Sequence, residues 1–296
     1  MLRLVDFLIL GQEQLQPSIV RRRRTTTDVS SVAWINETLQ VLFGLLSSRM
    51  LPADPNVYHQ AISDFVSAHP SAAIVTTNYD CCIDLALLSQ KIDFTYMVDF
   101  SNIAHNAAET KLVKLHGSLN WFYCETCQST RLENIEEITS RYKKGEALYP
   151  VIAVCKECGG QYRGLLVPPL AMKFDVAPPL TSLLGVADEA FQRSDLIVVV
   201  GFSFADADLY ISRMICKALQ MSASAKMVIF DPDYSVANTV RRRFSIRIPR
   251  FDAKRILAVR GDCENTLRDF LAGNLLVKAK TKIKSKSKRE PKKVPS

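Results

Sequence analysis

Four cysteines in the middle of the chain have the spacing of metal ligands. Cys124 and Cys127 form one Cys-x-x-Cys pair, and Cys155 and Cys158 form a second pair after a spacer of 27 residues. Each pair presents two thiolates to one ion, and zinc prefers four such ligands in a tetrahedron. The pattern therefore predicts a structural zinc site with no open coordination position, and two disulfides or buried thiols are the alternatives.

A single histidine, His116, lies eight residues before this cysteine region, in the stretch LVKLHGSLNW (112–121). It follows a short apolar run and precedes Gly117, a pattern typical of the end of a buried strand. An imidazole suits general acid–base chemistry because its ordinary pKa lies near neutral pH. Two hypotheses remain open: a catalytic base, or a histidine that is satisfied by hydrogen bonds at a strand end.

The elements around these residues alternate between strands and helices. This alternation predicts the α/β class, as a Rossmann-like, mostly parallel sheet with helices on both faces. A small zinc-ribbon module, at about residues 122–164, interrupts the alternation. Apolar runs predict strands at 72–76, 112–115, 196–200, 227–230 and 256–259, and helical periodicity predicts helices at 32–48, 57–68, 81–89, 183–192, 207–220 and 264–273.

Polar or small residues follow the predicted strands, at the edge where open α/β sheets bind ligands. They are Thr77, Asn78, Asp80, His116, Gly117, Gly201, Ser203, Asp231 and Cys263. Simpler explanations exist for several of them, since Asp80 is a candidate helix N-cap and Asp231 precedes Pro232 at a helix start. Asp206 and Asp208 are likewise expected to be caps. The occurrence of polar or small residues at the ends of successive strands nevertheless predicts a nucleotide site.

The net charge of +8 is concentrated at the C-terminus, because residues 278–296 hold nine Lys or Arg and one Glu. This basic tail is expected to be disordered. It is either a solubilising extension, a weak contact for nucleic acid or anionic membrane, or a nuclear-targeting segment. No apolar run approaches the roughly 18 residues that span a bilayer. We therefore expect no transmembrane segment and a cytoplasmic protein, or a nuclear one in a eukaryote.

The order of these motifs resembles the sirtuin superfamily, specifically its divergent SIR2-like branch. TTNYD (76–80) is similar to the Thr-Gln-Asn-Ile-Asp motif, and KLHGSLNW (114–121) is similar to the His-Gly strand end that precedes a four-Cys module. VVVGFSFADAD (198–208), FDPD (230–233) and RGDCENTLRDFL (260–271) resemble the phosphate, ribose and adenine segments in that order. The resemblance covers residues 70–273 and implies a SIR2-like NAD-binding domain over 1–277, followed by the tail at 278–296.

The resemblance implies that NAD is a co-substrate whose nicotinamide–ribose bond is cleaved through an oxocarbenium-like transition state. His116 would be the general base on a ribose hydroxyl, and Asn78 would bind that ribose or position a water. The implied contacts are Asp80 with the carboxamide, Gly201 and Ser203 with phosphate or ribose, Asp231 with the adenosine ribose and Cys263 with the adenine, while Thr77 and Gly117 complete the cofactor-binding set. Assembly with a protein partner or with further copies of the chain is also implied.

Two segments depart from the family pattern. The start LVDFLILGQEQ offers only Gly11 where sirtuins carry a Gly-Ala-Gly-x-Ser loop. The N-terminal Gly-rich unit is therefore missing from a truncated chain, or it is degenerate and the protein is a non-catalytic NAD- or ADP-ribose-binding module. In GLLVPPLAMKFD (164–175), two prolines remove the backbone donors that would pair with an acylated peptide. This favours NAD hydrolysis over protein deacylation or ADP-ribosyl transfer.

Overall fold

The computed structural model describes residues 29–102, 108–145, 154–167, 178–259 and 263–272. Within these ranges the helices are α1 Val29–Met50, α2 Val57–Ala68, α3 Cys82–Ser89, α4 Ile135–Lys143, α5 Thr181–Gln192, α6 Leu209–Met221, α7 Tyr234–Arg247 and α8 Cys263–Leu271. The strands are β1 Ala73–Thr76, β2 Phe94–Thr95, β3 Thr110–Lys114, β4 Gly117–Cys124, β5 Thr130–Leu132, β6 Tyr162–Leu166, β7 Leu196–Val200, β8 Lys226–Phe230 and β9 Ile256–Val259. None of the helices in these ranges combines the length and apolar content that crossing a membrane requires.

The described strands form three sheets of three strands each. Two sheets are parallel, with orders β1-β3-β2 and β7-β8-β9, and the third is antiparallel, with order β5-β4-β6. The predicted α/β class, with mostly parallel strands and a small inserted module, is therefore confirmed, and the strands of the insertion are antiparallel. The parallel strands nevertheless form two separate sheets rather than one. Among the described residues, β1 pairs only with β3 and β7 pairs only with β8.

The apolar core is densest around the central strands of the two parallel sheets. In β8, Met227–Phe230 are each at most 2% exposed, and in β3 both Leu112 and Val113 are fully buried. A parallel strand with neighbours on both sides and helices packed on its faces has this continuous apolar sequence. Each fully buried side chain of this size stabilises the fold by about 1.5–3 kcal/mol relative to exposure.

The antiparallel sheet begins directly after His116. Strand β3 ends at Lys114, and β4 starts at Gly117, whose backbone φ is +82°. A Cβ at Gly117 would lie 2.0 Å from the carbonyl oxygen of Leu165 in β6. Gly117 is therefore required both for its left-handed backbone and for the close approach of β6. Directly after β6, the Val167 N–H donates a hydrogen bond to the His116 carbonyl over 2.9 Å.

We expect Gly117→Ala to destabilise the protein by about 3 kcal/mol or more, because it combines left-handed strain with a backbone clash. The free energy of unfolding from urea titrations followed by circular dichroism measures this. Gly185→Ala is the matched control, since Gly185 lies inside α5 and an added Cβ there meets nothing within 4 Å. That change is expected to stabilise the helix by up to about 1 kcal/mol. Equal effects of the two substitutions would contradict the close-approach explanation.

Candidate functional site

His116 lies at the carboxyl end of β3 and is 4% exposed. Its Nε2 atom lies 2.9 Å from the Tyr210 hydroxyl and 3.2 Å from Asp208 Oδ1. The Tyr79 ring lies on another side, with its centroid 6.1 Å from that of the imidazole. The imidazole is thus held in one orientation by a carboxylate and a phenol that come from the segment after β7. Residues that follow two different strands converge on this ring, as expected for a site at the ends of parallel strands.

Asp208 does not act as the helix cap that the sequence predicts. It occupies the N-cap position of α6, but its side chain makes no capping hydrogen bond, and its carboxylate contacts His116 instead. Burial, together with the charge of Asp208, raises the pKa of both Tyr79 and Tyr210 well above the ordinary tyrosine value. Both phenols are therefore protonated at neutral pH. Asp206, the other predicted cap, forms an exposed ion pair with Arg243 at 3.3 Å.

A buried ion pair between Lys114 and Asp84 contacts the backbone of the loop 76–80. Lys114 Nζ donates to Asp84 Oδ2 over 2.9 Å and to the Asp80 carbonyl over 2.6 Å, and both charged side chains are fully buried. The Tyr96 hydroxyl donates to Asp84 Oδ1 over 2.6 Å. Burial alone would lower the pKa of Lys114, but the Asp84 carboxylate, together with Cys81 and Asp80, raises it. The network fixes the loop that carries Asn78.

We expect Lys114→Met to cost about 3–5 kcal/mol of folding stability, because it leaves the Asp84 carboxylate buried without a cation. The pKa of Lys114 is raised on folding, so this contribution is complete at neutral pH and is lost only as the pH rises through the folded value. Urea unfolding at pH 7 measures the loss. The double variant Lys114→Met/Asp84→Leu removes both charges and should recover most of it. A single variant as stable as the parent chain would contradict this account.

The predicted cofactor residues divide into two groups. Thr77, Asn78, Asp80 and Gly201 line one cavity of about 1030 Å³ between β1 and β7. Gly201 has φ +61°, and an added Cβ there would meet nothing within 4 Å, so its backbone is open to the approach of a ligand. Asp80 also accepts from the Cys82 N–H over 2.9 Å, but the N-cap residue of α3 is Cys81 and not Asp80 as the sequence predicts.

The other predicted residues are not brought to this cavity. Gly117 packs against Leu165 instead, and Ser203 is exposed and is not among the residues that line the cavity. Asp231 accepts from the Asp233 N–H over 2.8 Å, and Asp233 is the N-cap of α7. The side chain of Cys263 lies outside the described residues.

The four cysteines of the two Cys-x-x-Cys pairs form one cluster. Their Sγ atoms all lie within 4.8 Å of one another, with Cys124 and Cys158 at 3.5 Å and Cys127 and Cys155 at 3.6 Å. Zinc–sulfur bonds of about 2.3 Å in a tetrahedron place the sulfur atoms about 3.8 Å apart. The separations are much longer than the roughly 2.05 Å of a disulfide. The donor set and its spacing therefore fit a structural zinc ion.

The turn around Cys155 favours a thiolate. A hydrogen bond with Ser129, together with the backbone N–H groups of Glu157 and Cys158, lowers the pKa of Cys155 to about 5. Gly159 has φ +76°, and an added Cβ at Gly160 would lie 2.7 Å from Thr126 Oγ1 and 3.0 Å from Cys124 Sγ. The two glycines after Cys158 therefore allow the turns of the two Cys-x-x-Cys pairs to pack together. The remaining described cysteines, Cys81, Cys82 and Cys216, are buried.

Sequence reasoning missed the partners of His116 and the ion pair beneath the loop. Asp208 is the last residue of the stretch GFSFADAD (201–208) and Tyr210 lies two positions later, so their position after a strand end was the available signal. Lys114 directly follows an apolar pair in β3, where a charged residue in a buried strand indicates a buried partner. His59 is partly buried and also lines the cavity.

Comparison with known proteins places these features in a family. The family model described as a SIR2-like domain matches residues 72–247. An NAD-dependent protein deacetylase of Staphylococcus epidermidis is 21% identical over 200 residues, which are 67% of this chain and 65% of the length of that relative. The chain thus spans less than two thirds of the relative that it matches.

Solved structures show the same fold. A mutant of a Sir2 homologue in complex with ADP-ribose aligns with a TM-score of 0.51 at 16% identity, covering 88% of this chain and 84% of that one. Another mutant, in complex with 2′-O-acetyl ADP-ribose, gives 0.52 at 16% identity and covers 84% and 78%. The family model covers more than half of the chain, from β1 to the end of α7. The chain therefore belongs to the SIR2-like domain family.

Proposed function

We propose that the protein is an NAD-consuming enzyme that hydrolyses the nicotinamide–ribose bond, with His116 as the general base. The observation that carries this proposal is the His116 site. A buried imidazole at a strand end is held through Nε2 by the Asp208 carboxylate and the Tyr210 hydroxyl. Membership of the SIR2-like family, whose relatives include a deacetylase named as NAD-dependent, supports NAD as the co-substrate.

The roles of the residues follow from their positions. Asp208 stabilises the imidazolium that forms when His116 accepts a proton, because a carboxylate within hydrogen-bond distance favours the charged ring. A ribose hydroxyl that loses its proton to Nε2 must take the place that the Tyr210 hydroxyl holds. Asn78 and Gly201 line the cavity between β1 and β7, where they would meet the nicotinamide ribose and a phosphate. The four-Cys site would hold structural zinc, which stabilises the module and takes no part in the reaction.

Protein deacylation is the second candidate, because the Staphylococcus epidermidis relative is a deacetylase. A deacylase needs backbone donors and acceptors to pair with an extended acylated peptide. Pro168 and Pro169, which follow β6, lack two of these donors. We therefore place hydrolysis first.

Product analysis separates the candidates. The purified chain is incubated with NAD, with and without an acetyl-lysine peptide, and the products are resolved by liquid chromatography and mass spectrometry. Hydrolysis predicts nicotinamide and ADP-ribose in both reactions. Deacylation predicts acetyl-ADP-ribose, and only in the reaction that contains both NAD and the peptide. Binding of ADP-ribose by calorimetry without any turnover would instead indicate a non-catalytic nucleotide-binding module.

A further inference from the structure

The loop 201–208, which connects β7 with α6, contains a strained residue. Phe204 has φ +56°, a left-handed backbone that a bulky side chain rarely adopts. Its ring is 2% exposed and packs against Phe202, with the two ring centroids 4.8 Å apart. A backbone of this kind persists only where the surrounding structure holds it, and such residues cluster at functional sites. Contacts from outside the loop are therefore expected at Phe204.

Arg243, on α7, supplies such contacts. Its Nη1 atom donates to the Phe204 carbonyl over 3.0 Å, and its Nη2 atom donates to Asp206 Oδ1 over 3.3 Å. The Asp206 side chain is 88% exposed, so this ion pair contributes little by itself. The bond to the carbonyl is the more important contact, because it fixes a peptide group of the strained residue itself. The planar guanidinium reaches both acceptors at once, which a lysine ammonium does not do.

The loop in turn determines where the partners of His116 lie. Asp206–Asp208 form a single 3₁₀ turn, in which the Asp208 N–H donates to the Ala205 carbonyl over 2.9 Å. The Asp208 carboxylate makes no capping hydrogen bond to α6 and lies 3.2 Å from His116 Nε2. Tyr210, whose hydroxyl contacts the same nitrogen, lies in the first turn of α6. The position of both groups therefore depends on the conformation of the loop.

The two arginines that precede Arg243 have other surroundings. Arg241 donates through Nε and Nη2 to the Ile256 carbonyl, over 3.0 and 2.8 Å, and so connects α7 with β9. Arg242 is exposed. In the described part of the chain, Arg243 is the member of this triplet that bonds the loop 201–208. The triplet thus offers two matched controls on the same helix.

We propose, on the basis of the proposed function, that Arg243 is a positioning residue for the reaction. It holds the loop 201–208 in the strained conformation that brings Asp208 to the imidazole. Asp208 stabilises the imidazolium only from this position, so Arg243 contributes to turnover through Asp208. When the contacts of Arg243 are lost, the loop relaxes and the carboxylate moves away from His116.

Nitrogen-15 NMR of the His116 ring tests this positioning without any turnover. The chain has four histidines, so the ring signals of His116 are assigned by comparison with His116→Ala. Arg243→Met keeps the apolar stem and removes the donors, and it should move these signals towards their position in Asp208→Asn. Arg242→Ala is the matched control and should leave them in place. Unmoved signals in folded Arg243→Met would overturn the proposal.

Kinetics with NAD provide a second readout. Arg243→Met should lower kcat for nicotinamide release about tenfold, less than the roughly 100-fold that a misplacement of about 1 Å can cost. KM for NAD should change by less than about twofold, since no contact with the bound nucleotide is removed. Arg243→Lys keeps one donor for the Phe204 carbonyl and should restore part of kcat. Arg241→Ala should reduce folding stability without changing kcat, and an equal loss of kcat in that variant would overturn the proposal.

A double variant shows whether Arg243 acts through Asp208. In the Asp208→Asn background, Arg243→Met should lower kcat by less than about twofold, because residues that act through one another have non-additive effects. Two effects that multiply would show that Arg243 acts by another route and would overturn the proposal.

The two readouts also separate this positioning role from the proposed function. A parent chain without NAD turnover contradicts the proposed function, while the ring signals still decide whether Arg243 positions Asp208. If Arg243→Met does not fold, hydrogen exchange of the parent chain decides instead. The Asp208 amide should exchange at least about tenfold more slowly than in an unstructured peptide, because the loop is held closed. Exchange at the unstructured rate would overturn the proposal.

Discussion

His116→Ala is expected to lower the rate of nicotinamide release from NAD by at least about 100-fold, the usual lower bound for loss of a positioned general base. The imidazole lies at the end of β3 and contacts both the loop after β1, through Tyr79, and the segment after β7, through Asp208. Chromatographic measurement of nicotinamide under saturating NAD gives the effect on kcat.

His69→Ala is the matched control, because His69 is exposed at the C-terminal end of α2 and should have no effect on turnover. A buried histidine also contributes to packing, so thermal unfolding and ADP-ribose binding are measured for both variants. Retained folding and binding with lost turnover identify a base, whereas parallel loss of all three identifies a structural histidine. Asp208→Asn should reduce turnover less than His116→Ala. It removes the negative charge next to the imidazole but keeps His116 itself, the proton acceptor. Unchanged turnover in His116→Ala would exclude the proposed mechanism.

The second large effect concerns the zinc site. Cys124→Ser is expected to remove zinc from the protein and to destabilise it by more than about 4 kcal/mol, the range associated with loss of a bound metal or disulfide. Cys124 and Cys155 are at most 1% exposed, and four thiolates whose Sγ atoms lie within 4.8 Å of one another repel each other unless a cation lies between them. Elemental analysis and urea unfolding measure the two consequences. A strong chelator should reproduce both in the parent chain.

Cys216→Ala provides the comparison, because Cys216 is a buried thiol on α6 and belongs to neither Cys-x-x-Cys pair. It should retain one zinc per chain and lose only the packing of one sulfur atom. A parent protein without equimolar zinc would contradict the assignment. Mass spectrometry of the unreduced protein then decides between free thiols and disulfides.

The sequence predicts individual elements well because their signals are local. The bounds of α2, β7 and β9 agree with their predicted ranges, since each is a short apolar or periodic run with clear ends. Helix α7 was missed because only a narrow stripe of it, Ala237, Val240 and Phe244, is buried, on a helix that is otherwise rich in arginine. The antiparallel pairing of β4 with β6 depends on contacts about forty residues apart, and local periodicity does not contain them.

The site could be predicted only in part, for a similar reason. His116 and the four cysteines stand out because their residue types are rare and their spacing is regular. Asp208 was interpreted as a cap because a carboxylate before a helix usually caps it. Its actual partner, His116, lies 92 positions earlier, and only the arrangement of strands brings the two together. The same applies to Asp84 and Lys114, which are thirty residues apart.

The hydrogen bond from Val167 to the His116 carbonyl has a practical consequence for building chimaeras. Only nine residues separate the buried cation Lys114 from Cys124 of the four-cysteine cluster, and His116 is one of them. The segment that carries the four cysteines therefore cannot be exchanged by itself. An exchange with the equivalent segment of a relative would have to carry the whole stretch from 114 to 167, or the imidazole would be left without the backbone that anchors it.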